Sequence, residues 1–408
     1  MHDACDALLF RVGLHKQADL MLTLIKNAEV FSPARLGKKD VLLTGTTIAI
    51  IQDKLEIPET IPCKVIDAEG LILVPGFIDA HVHIAGAGGE GGPASRTPEM
   101  LLSDMISAGV TTVVGCLGTD GITRNVESVL MKVKALRAEG VSAWMYTGAY
   151  QVPTPTITGD YARDIALIDE VIGVGEVAVS DHRSSVPSTE ELTRITAHAR
   201  VAGMLGGKAG IVNIHMGDAK DPFRPLYKVV ETSELSLRQF LPTHINRNDY
   251  IFEDAKTYGM KGYLDITTSS YPYYPDEEVK PSKALRLLLD AGVPADHITF
   301  TSDACGSLPG FDPVTGELIK METGKPASNL RELRDAIREE NIAPEIALKV
   351  LTSNPARILK LKKKGNIAEG LDADLLLLDA EWNIQDVFAM GVRVLANGNL
   401  LKKGTYES

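Results

Sequence analysis

The chain has 408 residues, 44% of them hydrophobic and 24% charged, which sets aside disordered and fibrous classes and leaves room for a large core plus a smaller module. Its 54 acidic and 42 basic residues give a net charge of −12 with no block of like charge, so nucleic acid is not the expected partner and an anionic ligand must be met by individually positioned arginines. No run has transmembrane length, residues 1–20 lack the basic first region of a signal peptide, and Cys5, Cys63, Cys116 and Cys305 show no C-x-x-C spacing, which argues against a disulfide framework or a Cys-type zinc site and predicts a cytoplasmic protein without a membrane partner.

Residues 1–19 read as an N-terminal extension. From about residue 20 the pattern turns to short β-like runs broken by turns: Met21 to Ile25, Asp40 to Leu43, Thr47 to Ile51, Lys64 to Asp67 and Leu71 to Val74. The last fifty residues repeat that character, with Ala373 to Asp379, Val387 to Met390, Val392 to Ala396 and a turn at Asn397-Gly398-Asn399. Both chain ends, 20–75 and 357–408, are therefore predicted to pack together as one small β-sandwich domain.

Between them, residues 76–356 alternate apolar strand-like runs with amphipathic helical stretches, the signature of parallel βα units. Eight strands are predicted: Gly76–His83, Thr111–Leu117, Ser142–Ala149, Gly175–Ser180, Gly210–His215, Leu241–His244, Gly262–Thr267 and Ile298–Ser302. Predicted helices include Thr97–Ala108, Val126–Glu139, Ser188–Ala202 with Ser188 as N-cap, and Lys283–Ala291. Eight such units close a (β/α)8 TIM-like barrel, whose chemistry belongs at the C-terminal ends of its strands.

Six residues fall at those ends. His81 and His83, one residue apart on a strand, project their imidazoles to the same side. Glu176, His215, His244 and Asp303 sit at or near the downstream ends of four other strands. Glu176 interrupts an otherwise apolar run, and a buried carboxylate calls for a cation. Six ligands exceed the need of one catalytic ion, so the expectation is two divalent metal ions, zinc above others. His81, His83 and Asp303 would hold one and His215 and His244 the other, with Glu176 between them. A bridging hydroxide is then the expected nucleophile, since metal binding lowers the pKa of water from 15.7 to about 7 in the best-studied zinc case. Asp303 could bind metal and also carry a proton to the leaving nitrogen. Cys305, close by, reads as a small buried side chain.

The motifs Pro75-Gly76-Phe77-Ile78-Asp79-Ala80-His81-Val82-His83, Gly88-Gly89-Glu90-Gly91-Gly92-Pro93, Leu117-Gly118-Thr119-Asp120, Thr147-Gly148-Ala149-Tyr150, Ser180-Asp181-His182-Arg183-Ser184, Ile214-His215-Met216-Gly217-Asp218 and Pro242-Thr243-His244-Ile245-Asn246-Arg247-Asn248 resemble the amidohydrolase superfamily, most closely its isoaspartyl (β-aspartyl) dipeptidases. The resemblance runs from about Met21 to Tyr406. It implies two zinc ions, hydrolysis of dipeptides linked through an aspartate side chain, and a homo-oligomer. By the same resemblance Glu90, with Gly88 and Thr119, would hold the substrate amino group. Arg183, Arg247 and Ser307 would hold carboxylates, and Tyr150 would polarise the scissile carbonyl. One position departs: better-known members carry a carboxylated lysine as the bridge, seven residues before the arginine, where this chain has Glu176. Alternative readings are a cyclic amide hydrolase of dihydroorotase or hydantoinase type, and a non-enzymatic scaffold relative.

Overall fold

The computed structural model describes residues 22–312, 315 and 318–407; the expected extension 1–19 lies outside them. The N-terminal part forms β1 (Leu22–Ser32), β2 (Ala34–Thr44), β3 (Thr47–Gln52), β4 (Cys63–Asp67) and β5 (Ile72–Pro75). Eight strands follow, β6 (Phe77–Val82), β7 (Val110–Gly115), β8 (Ser142–Thr147), β9 (Val171–Val179), β10 (Ile211–Met216), β11 (Phe240–Thr243), β12 (Leu264–Thr267) and β13 (Ile298–Thr301). They alternate with helices α1 (Leu102–Ser107), α2 (Val126–Ala138), α3 (Tyr161–Leu167), α4 (Thr189–Leu205), α5 (Arg224–Glu231), α6 (Asp249–Gly259), α7 (Pro281–Asp290) and α8 (Ala327–Arg338). A hairpin of β14 (Ser307–Phe311) and β15 (Leu318–Thr323) intervenes before α8, and the chain ends in β16 (Leu375–Leu378), β17 (Ile384–Ala389), β18 (Val392–Ala396) and β19 (Asn399–Leu400).

Strands β6 to β11 form one curled parallel sheet and β12 pairs in parallel with β13. Single bonds carry the ring across its two seams: the His83 amide donates to the Ala304 carbonyl at 2.9 Å, and the Ile245 amide to that of Asp265 at 3.4 Å. The result is a TIM-type barrel. All barrel-strand residues but the half-buried Trp144 are buried, because helices cover one face and the barrel interior the other, which is why β9 and β10 read as nearly continuous apolar runs.

Helix starts follow local chemistry. Ser188 caps α4 in a complete capping box with Glu191. The helix expected from Thr97 starts only at Leu102, because the preceding residues are tied to the loop after β6: the Thr97 hydroxyl accepts from the Ala87 amide and donates to the Cys305 carbonyl, both at 2.6 Å, and the Met100 amide donates to Ile84.

The chain ends form a mixed sheet in the order β19-β18-β17-β16-β5-β1-β2-β3, with β4 added on β1. Alternation along β16 explains its position. Leu375 and Leu377 join Ile25, Val41, Leu73 and Phe388 in a small separate core, while Leu376 and Leu378 pack into the barrel's main core. An all-leucine strand is thus buried on both faces.

Candidate metal centre and cleft

Glu176, on β9, is fully buried and stands at the centre of the upper barrel mouth. Its Oε2 faces Nε2 of His81 at 3.3 Å and Nε2 of His83 at 3.7 Å; its Oε1 faces Nδ1 of His215 at 2.6 Å and Nε2 of His244 at 3.4 Å. Asp303 Oδ1 lies 3.0 Å from His83 Nε2 and 3.6 Å from His81 Nε2. All six residues expected to form a metal set therefore converge, one pair of histidines on each oxygen of the central carboxylate.

Ligand bonds of about 2.0–2.1 Å in a tetrahedral array put neighbouring donor atoms about 3.3 Å apart. Most of the separations above have that scale; His215–Glu176 at 2.6 Å and His83–Asp303 at 3.0 Å are shorter. Glu176 Oε2 and Asp303 Oδ1 are buried without a hydrogen-bond partner. Burying such an oxygen unpaired costs several kcal/mol, which a cation among the imidazoles removes. The donor set, nitrogen and carboxylate oxygen, suits divalent first-row ions.

Three of the histidines turn their other ring nitrogen to a fixed partner. His81 Nδ1 meets Asn213 Oδ1 at 2.9 Å, His215 Nε2 meets Asp181 Oδ2 at 2.9 Å, and His244 Nδ1 meets the Thr267 hydroxyl at 2.6 Å. Such contacts fix ring orientation and tautomer, as metal-binding imidazoles require. Burial pushes His244 down to about 3, so its ring is the neutral, metal-binding form at neutral pH. Burial would raise Glu176, but the surrounding His81 and His215 hold it well below the usual carboxylate range.

Above this floor opens a cleft of about 640 Å³. On one wall the Glu90 carboxylate accepts from the hydroxyls of Thr119 at 3.1 Å and Ser307 at 3.0 Å and stands 3.6 Å from Arg183 Nη1. Gly88 precedes it at φ +77°, where a Cβ would come within 2.4 Å of the Ser95 carbonyl oxygen, so only glycine fits. Beside Glu90, Arg183 grips Asp181 through Nε at 3.0 Å and Nη2 at 2.8 Å, and Arg247 Nη1 is 3.5 Å from the same carboxylate. The Tyr150 hydroxyl lies 2.7 Å from His215 Nδ1, and burial keeps this phenol protonated well beyond its ordinary range. Ser307, expected to hold a substrate carboxylate, donates its hydroxyl to Glu90 at 3.0 Å.

Four residues in this site had no role in the sequence reading. Asn213 was within reach of it, since it precedes His215 by two on a strand and so shares its side. Asp181 carried a signal too, an acid two before Arg183. Thr267 and Cys116 had none: barrel closure alone brings them here. Cys305 is buried in the apolar core, as expected, and burial pushes its thiol up to about 12.

The model of the amidohydrolase family matches residues 263–401. Over 95% of its length the chain is 42% identical to the whole of a solved β-aspartyl dipeptidase from Fervidobacterium islandicum, crystallised in complex with β-Asp-Leu, with a TM-score of 0.87. The chain belongs to the amidohydrolase superfamily, in its isoaspartyl dipeptidase family. A dihydroorotase of Lactobacillus gasseri is 23% identical over 88% of this chain and 90% of its own. A dihydropyrimidinase from Brevibacillus agri, 17% identical with a TM-score of 0.67 over 94% of this chain and 97% of its own, shares the fold. The protein is therefore a hydrolase of this superfamily acting on small molecules, and among the described residues no helix is long and apolar enough to cross a membrane.

Proposed function

We propose that this protein hydrolyses β-aspartyl dipeptides. The observation that carries the reading is the charge complement of the cleft: an acid, Glu90, for an ammonium group and two guanidinium groups, Arg183 and Arg247, for carboxylates, gathered with the Glu176 cluster in one cavity. A β-aspartyl dipeptide has one free ammonium and two free carboxylates flanking its amide. The Fervidobacterium relative, solved with β-Asp-Leu, supports the same reading.

His81, His83 and Asp303 would hold one divalent ion, taken here as zinc, and His215 and His244 the other, with Glu176 shared. The bound metal supplies a water nucleophile active at neutral pH and polarisation of the scissile carbonyl. Glu90, with Thr119 and the Gly88 turn, binds the substrate ammonium. Arg183 and Arg247 bind its carboxylates, and Ser307 orients Glu90. Tyr150, keeping its proton, donates a hydrogen bond to the carbonyl oxygen as negative charge grows there. Asp303 accepts the proton of the attacking water and returns it to the leaving nitrogen.

A second reading, hydrolysis of a cyclic amide, is favoured by the dihydroorotases among the relatives. Glu90 separates the two, since dihydroorotate carries no ammonium group. The test is a panel of β-Asp-Leu, α-Asp-Leu, dihydroorotate and hydantoin with the zinc-loaded protein, before and after chelation. Turnover of β-Asp-Leu that chelator abolishes and Zn²⁺ restores is expected; turnover of dihydroorotate with none of β-Asp-Leu overturns the proposal.

A further inference from the structure

Cys116 follows the last residue of β7 and is fully buried. It packs with Val114, two residues earlier, in the cluster that fills the barrel interior, so its side chain faces inward. Its Sγ lies 3.7 Å from His81 Nε2, the same nitrogen that faces Glu176 Oε2 and Asp303 Oδ1. It also lies 3.8 Å from His83 Nδ1 and 3.6 Å from the Val82 carbonyl oxygen. Ligand atoms of His81, His83, Cys116 and Glu176 all fall within 4.8 Å of one another.

Bond lengths of about 2.3 Å to sulfur and 2.0–2.1 Å to nitrogen put the two donor atoms of a tetrahedral zinc about 3.6 Å apart. The His81–Cys116 separation of 3.7 Å fits that edge as well as His81–Glu176, at 3.3 Å, fits the shorter nitrogen–oxygen edge. A second, independent observation points to an ion at this spot: Glu176 Oε2, aimed into the same group, is buried without a hydrogen-bond partner. Cys305, also buried, belongs to neither candidate ligand group among the described residues.

We propose that Cys116 binds, as a thiolate, the metal ion assigned to His81, His83, Asp303 and the shared Glu176. This rests on the reading of the site as a metal centre. On binding, the S–H bond breaks, a sulfur–metal bond forms and the proton leaves to solvent, with no change of oxidation state. A soft thiolate on one ion and none on the other makes the two positions chemically unequal. The first should favour zinc, cadmium and cobalt over manganese or magnesium, and the second, with imidazole and carboxylate alone, should discriminate less.

Cobalt substitution tests this without reference to turnover. The full-length protein loaded with Co²⁺ is expected to show an intense thiolate-to-cobalt band in the near ultraviolet together with the visible bands of bound cobalt. The near-ultraviolet band should vanish in Cys116→Ser and Cys116→Ala, with the visible bands kept, and persist in Cys305→Ser. In the zinc-loaded wild type, X-ray absorption should show a sulfur neighbour at about 2.3 Å, which removes dependence on any variant's folding. Zinc-over-manganese preference should fall at least tenfold in Cys116→Ser. Cobalt bound with no charge-transfer band, the band surviving in Cys116→Ser, or no sulfur neighbour in the zinc protein overturns the thiolate assignment and leaves the hydrolase reading standing. No uptake of cobalt or zinc at all overturns both.

Discussion

The two ends of the metal centre are built differently. At the β6 end, His81 and His83 lie two positions apart at the end of one strand and meet Asp303 and Cys116 in the buried barrel mouth. At the β10–β11 end, His215 and His244 come from separate strands, and His215 is tied through Asp181 to both cleft arginines. The first position is fixed largely by local covalent geometry, and it meets the cleft through His83 and Asp303. The second depends on tertiary packing and shares a carboxylate with the groups proposed to bind substrate. Metal affinity at the second end should therefore respond to changes at Asp181 and its two arginines more than metal affinity at the first end does.

Glu176 is common to both ends, so its replacement erases the difference. Glu176→Gln keeps the shape but removes the charge and one acceptor oxygen, and both ions should be lost on dialysis. Without them the contribution of metal to nucleophile and carbonyl activation disappears, several kcal/mol, or on the order of 10⁴-fold in kcat. Metal analysis alongside turnover checks this; two ions retained would remove Glu176 from the centre. Asp303→Asn touches the first end alone. With zinc saturating, kcat for β-Asp-Leu should fall about 10²–10⁴-fold, the usual worth of a positioned proton carrier, with KM little changed. A rise in KM with kcat intact would assign Asp303 to binding rather than proton transfer.

Asp181→Asn is the sharpest test of the asymmetry. Asp181 is held well below the usual carboxylate range because His215 and Arg183 outweigh its burial, so the change to Asn removes a charge that both partners use. Affinity for one of the two ions should drop about 10–100-fold, the typical cost of losing an orienting partner of a metal-binding histidine. KM should rise as well, because Arg183 loses its bidentate anchor. Equal weakening of both ions, followed by metal titration, would show that the ends are not independent.

What sequence alone could reach follows the same division. Residues two apart on a strand, His81 with His83, are legible because strand parity puts both on one side. The ends of β9, β10, β11 and β13 are legible because apolar runs stop there. Partners supplied by barrel closure leave no local mark. Thr267 is one hydroxyl among many, and Cys116 looks like any core cysteine because C-x-x-C spacing reports only local pairs. The hairpin β14–β15 was equally hidden, since β15 is exposed or half-buried and carries no apolar alternation. It nonetheless delivers Ser307 to Glu90 and accepts the Tyr274 hydroxyl at the Pro309 carbonyl, 2.9 Å away. Likewise β1 and β2 run well past the apolar segments that announced them, through a hairpin arm whose outer residues Arg35 and Lys38 pair with acids instead of packing.

The smallest expected effect concerns Glu278 on the cleft wall. Burial pushes its carboxyl up to about 7, against the pull of a hydrogen bond from Ser270 and of the nearby Arg247. Because its pKa is raised, the group is neutral below about 7 and gains its negative charge as pH rises through that value. The new charge offsets part of the field of Arg247, which is proposed to hold a substrate carboxylate. KM for β-Asp-Leu should accordingly rise roughly three- to tenfold between pH 6 and 8, about 1 kcal/mol at the effective dielectric of a partly buried pair. In Glu278→Gln that step should disappear, with kcat at pH 6 little changed, since Glu278 is already neutral there and Gln copies that state. A step that survives in Glu278→Gln must come from another group. The histidines of the metal centre would be the next suspects, and their involvement would show as a pH-dependent metal content, which Glu278 does not predict.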